Sequence, residues 1–222
     1  MLFRSFETEE AKLILIVGQN DWPFPIPIVG QDGKFVFDTA AGKEEILNRR
    51  IGRNELYTIQ VMLAVVDAQR EYAMKDNDQD GLLEYAQKFR SDPGKKNGLF
   101  WRTKEGEEPS PLGALVAQAR QEGYFEKEPT EGPSPYHGYF YRMLTAQGAN
   151  ANGGEFDYIV NGKMIGGFAI VAYPAEYGNS GVMTFIVNHD GVVYQKDLGE
   201  DAEKEARAMK RFDPDKTWTK AQ

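Results

Sequence analysis

Residues 181–194 read G-V-M-T-F-I-V-N-H-D-G-V-V-Y, in which two apolar runs flank a short polar turn. Runs of this length and composition predict β-strands, here at 182–188 and 192–196. Asp190-Gly191 lies between them and is a dipeptide suited to the positive φ that a two-residue hairpin turn requires. The stretch therefore predicts that the C-terminal part of the chain forms an antiparallel sheet.

Further strand-like runs precede this hairpin. Asn161-Gly162 separates two of them and is a second dipeptide suited to a tight turn. The runs lie at 139–145, 157–160 and 164–173. Together with the hairpin they predict a sheet of four or five antiparallel strands.

The part of the chain before the sheet is helical in character. Apolar residues recur at steps of three and four from Asn54, which suits a helix cap, to about Met74, and this pattern predicts one long helix. Shorter helices are predicted at 83–90, 110–123 and 201–212. A long helix packed on an antiparallel sheet is the α+β fold class.

The first forty residues predict a small β segment. Lys12–Val17 reads as a buried strand, and Lys34–Asp38 reads as a second strand. Residues 21–29 between them are D-W-P-F-P-I-P-I-V. Because proline has no amide hydrogen to donate, this segment is predicted to be extended and to lie at a sheet edge.

The chain is interpreted as two domains. Leu-Phe-Arg-Ser at 2–5 is also what a common sequencing adapter encodes, which favours a fragment that lacks its natural N-terminus. We therefore interpret residues 1–42 as the remnant of a truncated N-terminal α+β domain and residues 43–222 as a second α+β domain.

Composition excludes several classes of function. The net charge of −8 argues against nucleic acid as the main partner, and no apolar run approaches the roughly 20 residues of a transmembrane helix. The chain has no cysteine, so disulfides, thiolate catalysis and cysteine-bound zinc are excluded. Its two histidines, His137 and His189, are too few for a multi-histidine metal site.

Several long phrases of the chain are distinctive, among them D-W-P-F-P-I-P at 21–27, Y-H-G-Y-F-Y-R-M-L-T-A-Q-G at 136–148 and A-Y-P-A-E-Y-G-N-S-G at 172–181. They resemble an uncharacterised bacterial family, domain of unknown function 2950. The resemblance covers nearly the whole chain. It implies an exported protein, periplasmic or extracellular, and it supplies no activity and no catalytic residues.

From Asn54 onward the order of elements is similar to the globular heads of type IV pilins and pseudopilins. Those heads have a long helix, a variable acidic loop and then an antiparallel sheet. The hydrophobic N-terminal helix through which pilins polymerise is absent from this chain. This second resemblance therefore concerns the fold of residues 43–222, and fold alone does not give function.

The acidic stretch K-D-N-D-Q-D-G-L-L-E-Y-A-Q at 75–87 offers a candidate metal site. Asp76, Asp78 and Asp80 occupy the first, third and fifth positions of a calcium loop, and Gly81 follows where that loop turns sharply. Gln87 stands where a bidentate glutamate is expected, so Glu84 is the candidate fourth ligand and the predicted affinity for Ca²⁺ is weak. The alternative is a solvated turn in which Asp76 and Asp80 cap flanking helices.

Three other groups of residues suggest sites and have simpler interpretations. His137, Asp157 and Ser180 can be written as a hydrolase triad, but His137 and Ser180 are too close in sequence for the two barrels that hold such a triad. A cluster of arginines suggests an anion site or exposed ion pairs. A tyrosine-rich strand suggests either core packing or an exposed contact surface. The arginine cluster is Arg49, Arg50 and Arg53. The tyrosine-rich strand contains Tyr136, Tyr139, Phe140 and Tyr141.

The sequence therefore favours a non-enzymatic module of the cell envelope that binds or assembles with another component. Its expected partner is an envelope protein or a glycan, and Ca²⁺ is the expected bound ion. The alternative is a hydrolase whose active site the sequence does not identify. A deep pocket that joins Ser180, His137 and an acid would favour the hydrolase.

Overall fold

The computed structural model describes residues 3–9, 12–124 and 134–221. Within these ranges the α-helices are α1 (Thr39–Tyr72), α2 (Gly113–Gln121) and α3 (Ala202–Ala208). A 3-10 turn at Gly199–Asp201 leads into α3. The strands are β1 (Phe3–Glu9), β2 (Lys12–Val17), β3 (Trp22–Pro23), β4 (Ile28–Gln31), β5 (Lys34–Phe37), β6 (Tyr139–Leu144), β7 (Ala146–Gln147), β8 (Phe156–Asp157), β9 (Ile159–Val160), β10 (Lys163–Met164), β11 (Ala169–Pro174), β12 (Met183–Asn188), β13 (Tyr194–Asp197), β14 (Arg211–Phe212) and β15 (Thr219–Lys220).

The α+β class predicted from the sequence is confirmed. One long helix accompanies antiparallel sheets, and additional strands precede it. The contacts group the chain into two compact units, Met1–Arg53 and Asn54–Gln222. The sheet of the first unit has the order β1-β2-β4-β5, with β3 also paired to β2, and the main sheet of the second unit has the order β15-β13-β12-β11-β6.

Helix α1 is one continuous element and begins earlier than predicted. The prediction that Asn54 caps the helix is wrong, because helical backbone runs without a proline from Thr39 to Tyr72. The helix starts where the Asp38 carboxylate accepts a hydrogen bond from the Ala41 amide at 3.0 Å. No described helix is both long and apolar enough to cross a membrane.

The core of the second unit forms between the C-terminal half of α1 and the main sheet. Every residue of β11 is buried, and five of the six residues of β12 are buried. The α1 residues in this core recur at steps of three and four, as an amphipathic helix requires. They are Val61, Met62, Val65, Val66, Ala68 and Tyr72.

Several local predictions in the second unit are wrong. The run predicted at 164–173 is divided between β10 and β11, and the helix predicted at 201–212 ends at Ala208. Residues 83–90 are not helical. Their backbone hydrogen bonds go to distant partners instead, such as the bond from the Tyr85 amide to the Met164 carbonyl at 2.9 Å. The hairpin of the opening stretch also lacks a two-residue turn, since Ile186 and Tyr194 are its last paired residues. The turn predicted at Asn161-Gly162 is confirmed, with φ of 51° and 81°.

The first unit leaves one strand strongly exposed. All four residues of β5 are exposed, and β5 pairs with β4 on one side as the last strand in its sheet. The turn between β4 and β5 is the dipeptide Asp32-Gly33, with φ of 49° and 73°. Both values are positive, as a two-residue hairpin of this type requires.

Candidate functional site

The acidic loop begins where α1 ends. Asn77 closes the helix, because its side-chain amide donates hydrogen bonds to the carbonyls of Tyr72 at 2.7 Å and Lys75 at 3.0 Å. The chain then reverses direction through Gln79 and Gly81, which both have positive φ. The loop is therefore an ordered turn. The segment that follows it is extended rather than helical.

Asp76 and Asp80 hold the loop together through its own backbone. The Asp76 carboxylate accepts hydrogen bonds from the amides of Asp80 at 3.1 Å and Gly81 at 2.9 Å. The Asp80 carboxylate accepts one from the Leu82 amide at 2.9 Å. The interpretation in which these residues cap two flanking helices is wrong, since no helix follows the loop. They instead form local side-chain turns of the kind aspartate favours.

Lys163 provides a positive charge at the centre of the loop. It lies in the β9–β10 hairpin, and its ammonium is 3.0 Å from Asp78 Oδ2 and 3.1 Å from Glu84 Oε1, and it also pairs with Asp80. The hydrogen bonds to these carboxylates raise the pKa of Lys163, and the bond from Lys163 lowers the pKa of Asp80. The ammonium thus offsets the mutual repulsion of the acidic side chains.

The geometry also suits a metal ion. One carboxylate oxygen from each of Asp76, Asp78 and Asp80 can be chosen so that all lie within 4.8 Å of one another, and all three residues are exposed. Oxygens at this spacing can share a hard divalent cation, whose oxygen ligands lie at about 2.0–2.6 Å. Glu84 is not one of these three residues, although its Oε1 shares the Lys163 ammonium with Asp78, and its Oε2 accepts the Met164 amide at 3.1 Å. The loop could hold a metal, and Lys163 would compete with it.

A small polar pocket of about 230 Å³ borders the loop. Lys96 lies over the Trp101 ring at 5.5 Å from its centroid, and the buried Trp101 Nε1 has no hydrogen-bond partner among the described residues. Tyr72 also lines this pocket. Burial, and secondarily the charges of Asp78 and Glu84, raise the pKa of Tyr72 to about 12. Sequence reasoning found neither Lys163 nor this pocket.

Comparison with protein families gives one match over almost the entire chain. The family is described as "Protein of unknown function (DUF2950)", and its profile matches residues 4–221. The chain belongs to this family. Comparisons with curated proteins and with solved structures found no match.

The DUF2950 chain does not assemble the triad written from its sequence. Ser180 Oγ accepts a hydrogen bond from the Glu176 amide at 2.9 Å and lies 3.2 Å from the Glu176 carbonyl. The His137 ring instead faces Glu122, with Nε2 and Oε2 3.4 Å apart. Asp157 belongs to the three-stranded sheet through its pairing with Ala146. Residues 178–181 form the loop between β11 and β12, as the simpler interpretation expects.

Arg49 and Tyr139, one from each of the arginine and tyrosine groups, make structural contacts. Arg49 pairs with Glu45 at 2.7 Å, donates to the Pro23 carbonyl at 2.6 Å and lies over the Trp22 ring. Tyr139 is fully buried and donates to the Met183 carbonyl at 2.9 Å. The alternative in which the tyrosines of β6 form an exposed surface is therefore wrong for Tyr139.

His137 is the one described histidine that is almost fully buried, at 8% exposure. Its ring stacks on Tyr57 with centroids 4.4 Å apart, and it packs against Tyr124 and Tyr136. Burial lowers the pKa of His137, and Glu122 acts in the opposite direction with a smaller effect. The φ of His137 is 48°, a conformation that asparagine adopts more readily than most residues.

Acidification should destabilise the chain through His137. The pKa of His137 in the folded state lies below its ordinary value of about 6.5, so the folded state binds fewer protons than the unfolded state. The contribution of His137 to stability is therefore complete above about pH 6.5 and is lost as the pH falls towards the lower pKa of the folded state. The melting temperature of the native chain should fall from pH 7.5 to pH 5.5 (values of about one unit either side of 6.5). In His137→Asn, the fall should be smaller. Equal falls in both proteins would remove His137 as the cause.

Proposed function

We propose that this chain is an exported, non-enzymatic binding module of the cell envelope whose acidic loop takes Ca²⁺ in exchange for the Lys163 ammonium. The observation that carries the proposal is the convergence of three exposed aspartate oxygens within 4.8 Å. Ca²⁺ prefers carboxylate and carbonyl oxygens, and it tolerates irregular geometry better than Mg²⁺ does. The expected affinity is weak, on the order of 10⁻⁴–10⁻³ M, a range typical of extracellular modules.

The Ca²⁺ would stabilise the fold in this proposal and would not take part in catalysis. The loop connects α1 to the extended segment at 82–91, and Lys163 connects it to the β9–β10 hairpin. A divalent ion bound to Asp76, Asp78 and Asp80 would replace the single positive charge of the Lys163 ammonium with two positive charges. An envelope protein or a glycan is the proposed partner, and a pilin-like role in assembly rests on the order of the elements alone.

The chemistry around the loop supports binding over hydrolysis. The loop carboxylates accept backbone amides or pair with Lys163, and the described residues of the loop contain no serine, threonine or histidine that could act with them. A hydrolytic site needs a nucleophile or an activated water beside a base. The alternative of a hydrolase is for this reason the weaker proposal.

Removal of the competing ammonium should strengthen Ca²⁺ binding. In calorimetric titrations, Lys163→Gln should bind Ca²⁺ roughly tenfold more tightly than the native chain, because one positive charge no longer occupies the carboxylates. Without Ca²⁺ the same variant should melt at a lower temperature, and Ca²⁺ should restore the loss. Asp78→Asn should reduce binding in either background, since it removes a charged ligand.

Lys88→Gln is the matched control for this experiment. The exposed Lys88 pairs with Asp92 at 2.9 Å and not with a carboxylate of the loop, so its loss changes the net charge equally and leaves the candidate ligands as they are. Its Ca²⁺ affinity should equal that of the native chain. If neither the native chain nor Lys163→Gln binds Ca²⁺ at millimolar concentration, the calcium proposal fails, and the loop is stabilised by Lys163 and by the hydrogen bonds from its own backbone.

A further inference from the structure

Strand β5 exposes an apolar edge that nothing else in the described chain covers. Phe35 is 74% exposed, Phe37 is 52% exposed and Val36 is 37% exposed. β5 is the last strand of the order β1-β2-β4-β5, so one side of its backbone has no partner strand among the described residues. An exposed edge with large apolar side chains readily pairs with another strand, and natural proteins seldom leave such an edge free.

The hydrogen bonds to β4 decide which backbone groups of β5 face outward. The Asp38 amide donates to the Pro27 carbonyl at 2.9 Å, so this pair is hydrogen-bonded. In an antiparallel ladder, hydrogen-bonded pairs alternate with non-bonded pairs. Continuing the register, Val36 and Lys34 also bond to β4, at Val29 and Gln31. The amide and carbonyl groups of Phe35 and Phe37 therefore point away from β4.

These outward groups match a second copy of the same strand. In an antiparallel pair centred on Val36, Phe35 of each copy lies opposite Phe37 of the other, which gives two symmetry-related pairs. Each of these pairs joins residues whose amides and carbonyls point outward, so the register can form four interchain hydrogen bonds. A register centred on Phe35 or on Phe37 can form only two, because the next outward-facing residues are Gly33, which lies in the turn, and Thr39, which begins α1.

The charges at the ends of the strand favour the same register. The segment reads K-F-V-F-D, basic at Lys34 and acidic at Asp38. Antiparallel pairing about Val36 brings Lys34 of each copy opposite Asp38 of the other, and opposite charges across a strand pair are stabilising. We propose that β5 is a homodimerisation edge, at which two copies of this chain join their N-terminal sheets through antiparallel β5–β5 pairing centred on Val36.

The aromatic side chains add an apolar face to this pairing. Phe35 and Phe37 lie on the same face of β5, because side chains alternate along a strand. Phe37 packs edge-on against Phe24 at 6.1 Å, and Phe24 packs against Trp22 at 6.0 Å between centroids. Pairing about a two-fold axis places the aromatic faces of both copies on the same side of the joined sheet. Cross-strand aromatic pairs are among those that stabilise sheets.

Sedimentation velocity on the full chain over a hundredfold range of concentration tests the proposal. The native chain should show a reversible monomer–dimer equilibrium. Lys34→Glu and Asp38→Lys should each weaken self-association roughly tenfold, because like charges then face each other twice. An equimolar mixture of the two variants should dimerise again, since each strand then complements the other. Lys43→Glu, an equal charge change at an exposed position of α1, should dimerise like the native chain.

Asp38 also caps α1 through the Ala41 amide, so the fold of each variant is first checked by circular dichroism. A separate test needs no charge change. The chain has no cysteine, so a single introduced thiol reports on one position only. In the proposed register the two Val36 residues form a non-bonded pair with Cα atoms about 4.5 Å apart, which a disulfide can bridge. The two Phe35 residues are about 8 Å apart, which is too far.

Val36→Cys should therefore form a disulfide-linked dimer at least tenfold faster than Phe35→Cys, although Phe35 is twice as exposed. Cross-linking that follows exposure, with Phe35→Cys faster, would overturn the proposed register. A chain that stays monomeric at every concentration would overturn the dimer itself. A dimer that is indifferent to Lys34→Glu, with Val36→Cys unlinked, would place the interface elsewhere and would also overturn the proposal.

Discussion

Gln69→Leu should lower the free energy of unfolding by about 2–6 kcal/mol, because it leaves two buried backbone groups without a hydrogen-bond partner. Gln69 is fully buried in α1, and its side chain is bound twice by Ala86. Its amide donates to the Ala86 carbonyl at 2.8 Å, and its carbonyl accepts the Ala86 amide at 2.8 Å. Leucine fills a similar volume but leaves both groups of Ala86 unpaired, at a cost of about 1–3 kcal/mol each.

Urea denaturation followed by circular dichroism measures this change. Gln60→Leu is the matched control, because Gln60 lies on the same helix and is exposed. That control should change stability by no more than about 0.5 kcal/mol. If Gln69→Leu costs no more than Gln60→Leu, then the two hydrogen bonds of Ala86 do not support the extended segment that follows the acidic loop.

Glu55→Ala should cost about 2–4 kcal/mol of unfolding free energy, since two backbone amides lose a charged acceptor. Glu55 Oε1 accepts the amides of Val182 at 2.9 Å and Met183 at 3.0 Å, where β12 begins. The Tyr139 hydroxyl lies 3.4 Å from the same oxygen. This carboxylate therefore attaches the start of β12 to α1.

Glu55→Gln separates the hydrogen bonds from the charge. Glutamine keeps a carbonyl oxygen at the end of a side chain of the same length, so it should recover more than half of the stability that Glu55→Ala loses. Thermal and urea unfolding of the three proteins under one buffer condition give the comparison. If the glutamine and alanine variants are equally unstable, the two amides are not the reason why Glu55 matters.

Sequence periodicity was sufficient to predict several strands and the C-terminal part of the long helix. The strand predicted at Lys12–Val17 has the same bounds in the structure, and β6 and β12 differ from their predicted ranges by one residue. These segments succeed because their alternation or apolar content reflects burial directly. The predicted helix start at Asn54 was wrong because asparagine also occurs within helices. Here the Asn54 side chain donates a hydrogen bond to the Ser180 carbonyl at 2.8 Å.

The segment at 83–90 shows the opposite limit. Its residues favour a helix locally, but the Ala86 backbone is bound by Gln69, and the Phe100 amide donates to the Phe89 carbonyl at 2.8 Å. Tertiary hydrogen bonds of this kind override local propensity and leave no trace in the spacing of residues. Because the spacing of residues does not reveal these distant partners, the sequence alone predicts a helix where the structure has an extended segment.

The candidate site was predictable only in part. The spacing of Asp76, Asp78 and Asp80 indicated the acidic cluster, because alternate positions in a tight loop converge. The cation at its centre was not predictable, since Lys163 lies 79 residues after Glu84 and 85 after Asp78. Local spacing carries information about a loop, and only the folded sheet brings the β9–β10 hairpin to it.

The parallel pairing of β14 with β7 has a consequence for the order of events during synthesis. Arg211 and Phe212 pair with Ala146 and Gln147, and Phe212 is buried. At a ribosomal rate of about 5–20 residues per second, β14 is therefore synthesised several seconds after β7, and the three-stranded sheet is completed only then. The β4–β5 hairpin, by contrast, can close as soon as its few residues emerge. The small sheet of the larger unit therefore stays incomplete until residues 211–212 have been synthesised, and incompletely folded chains of this kind are the ones on which chaperones act.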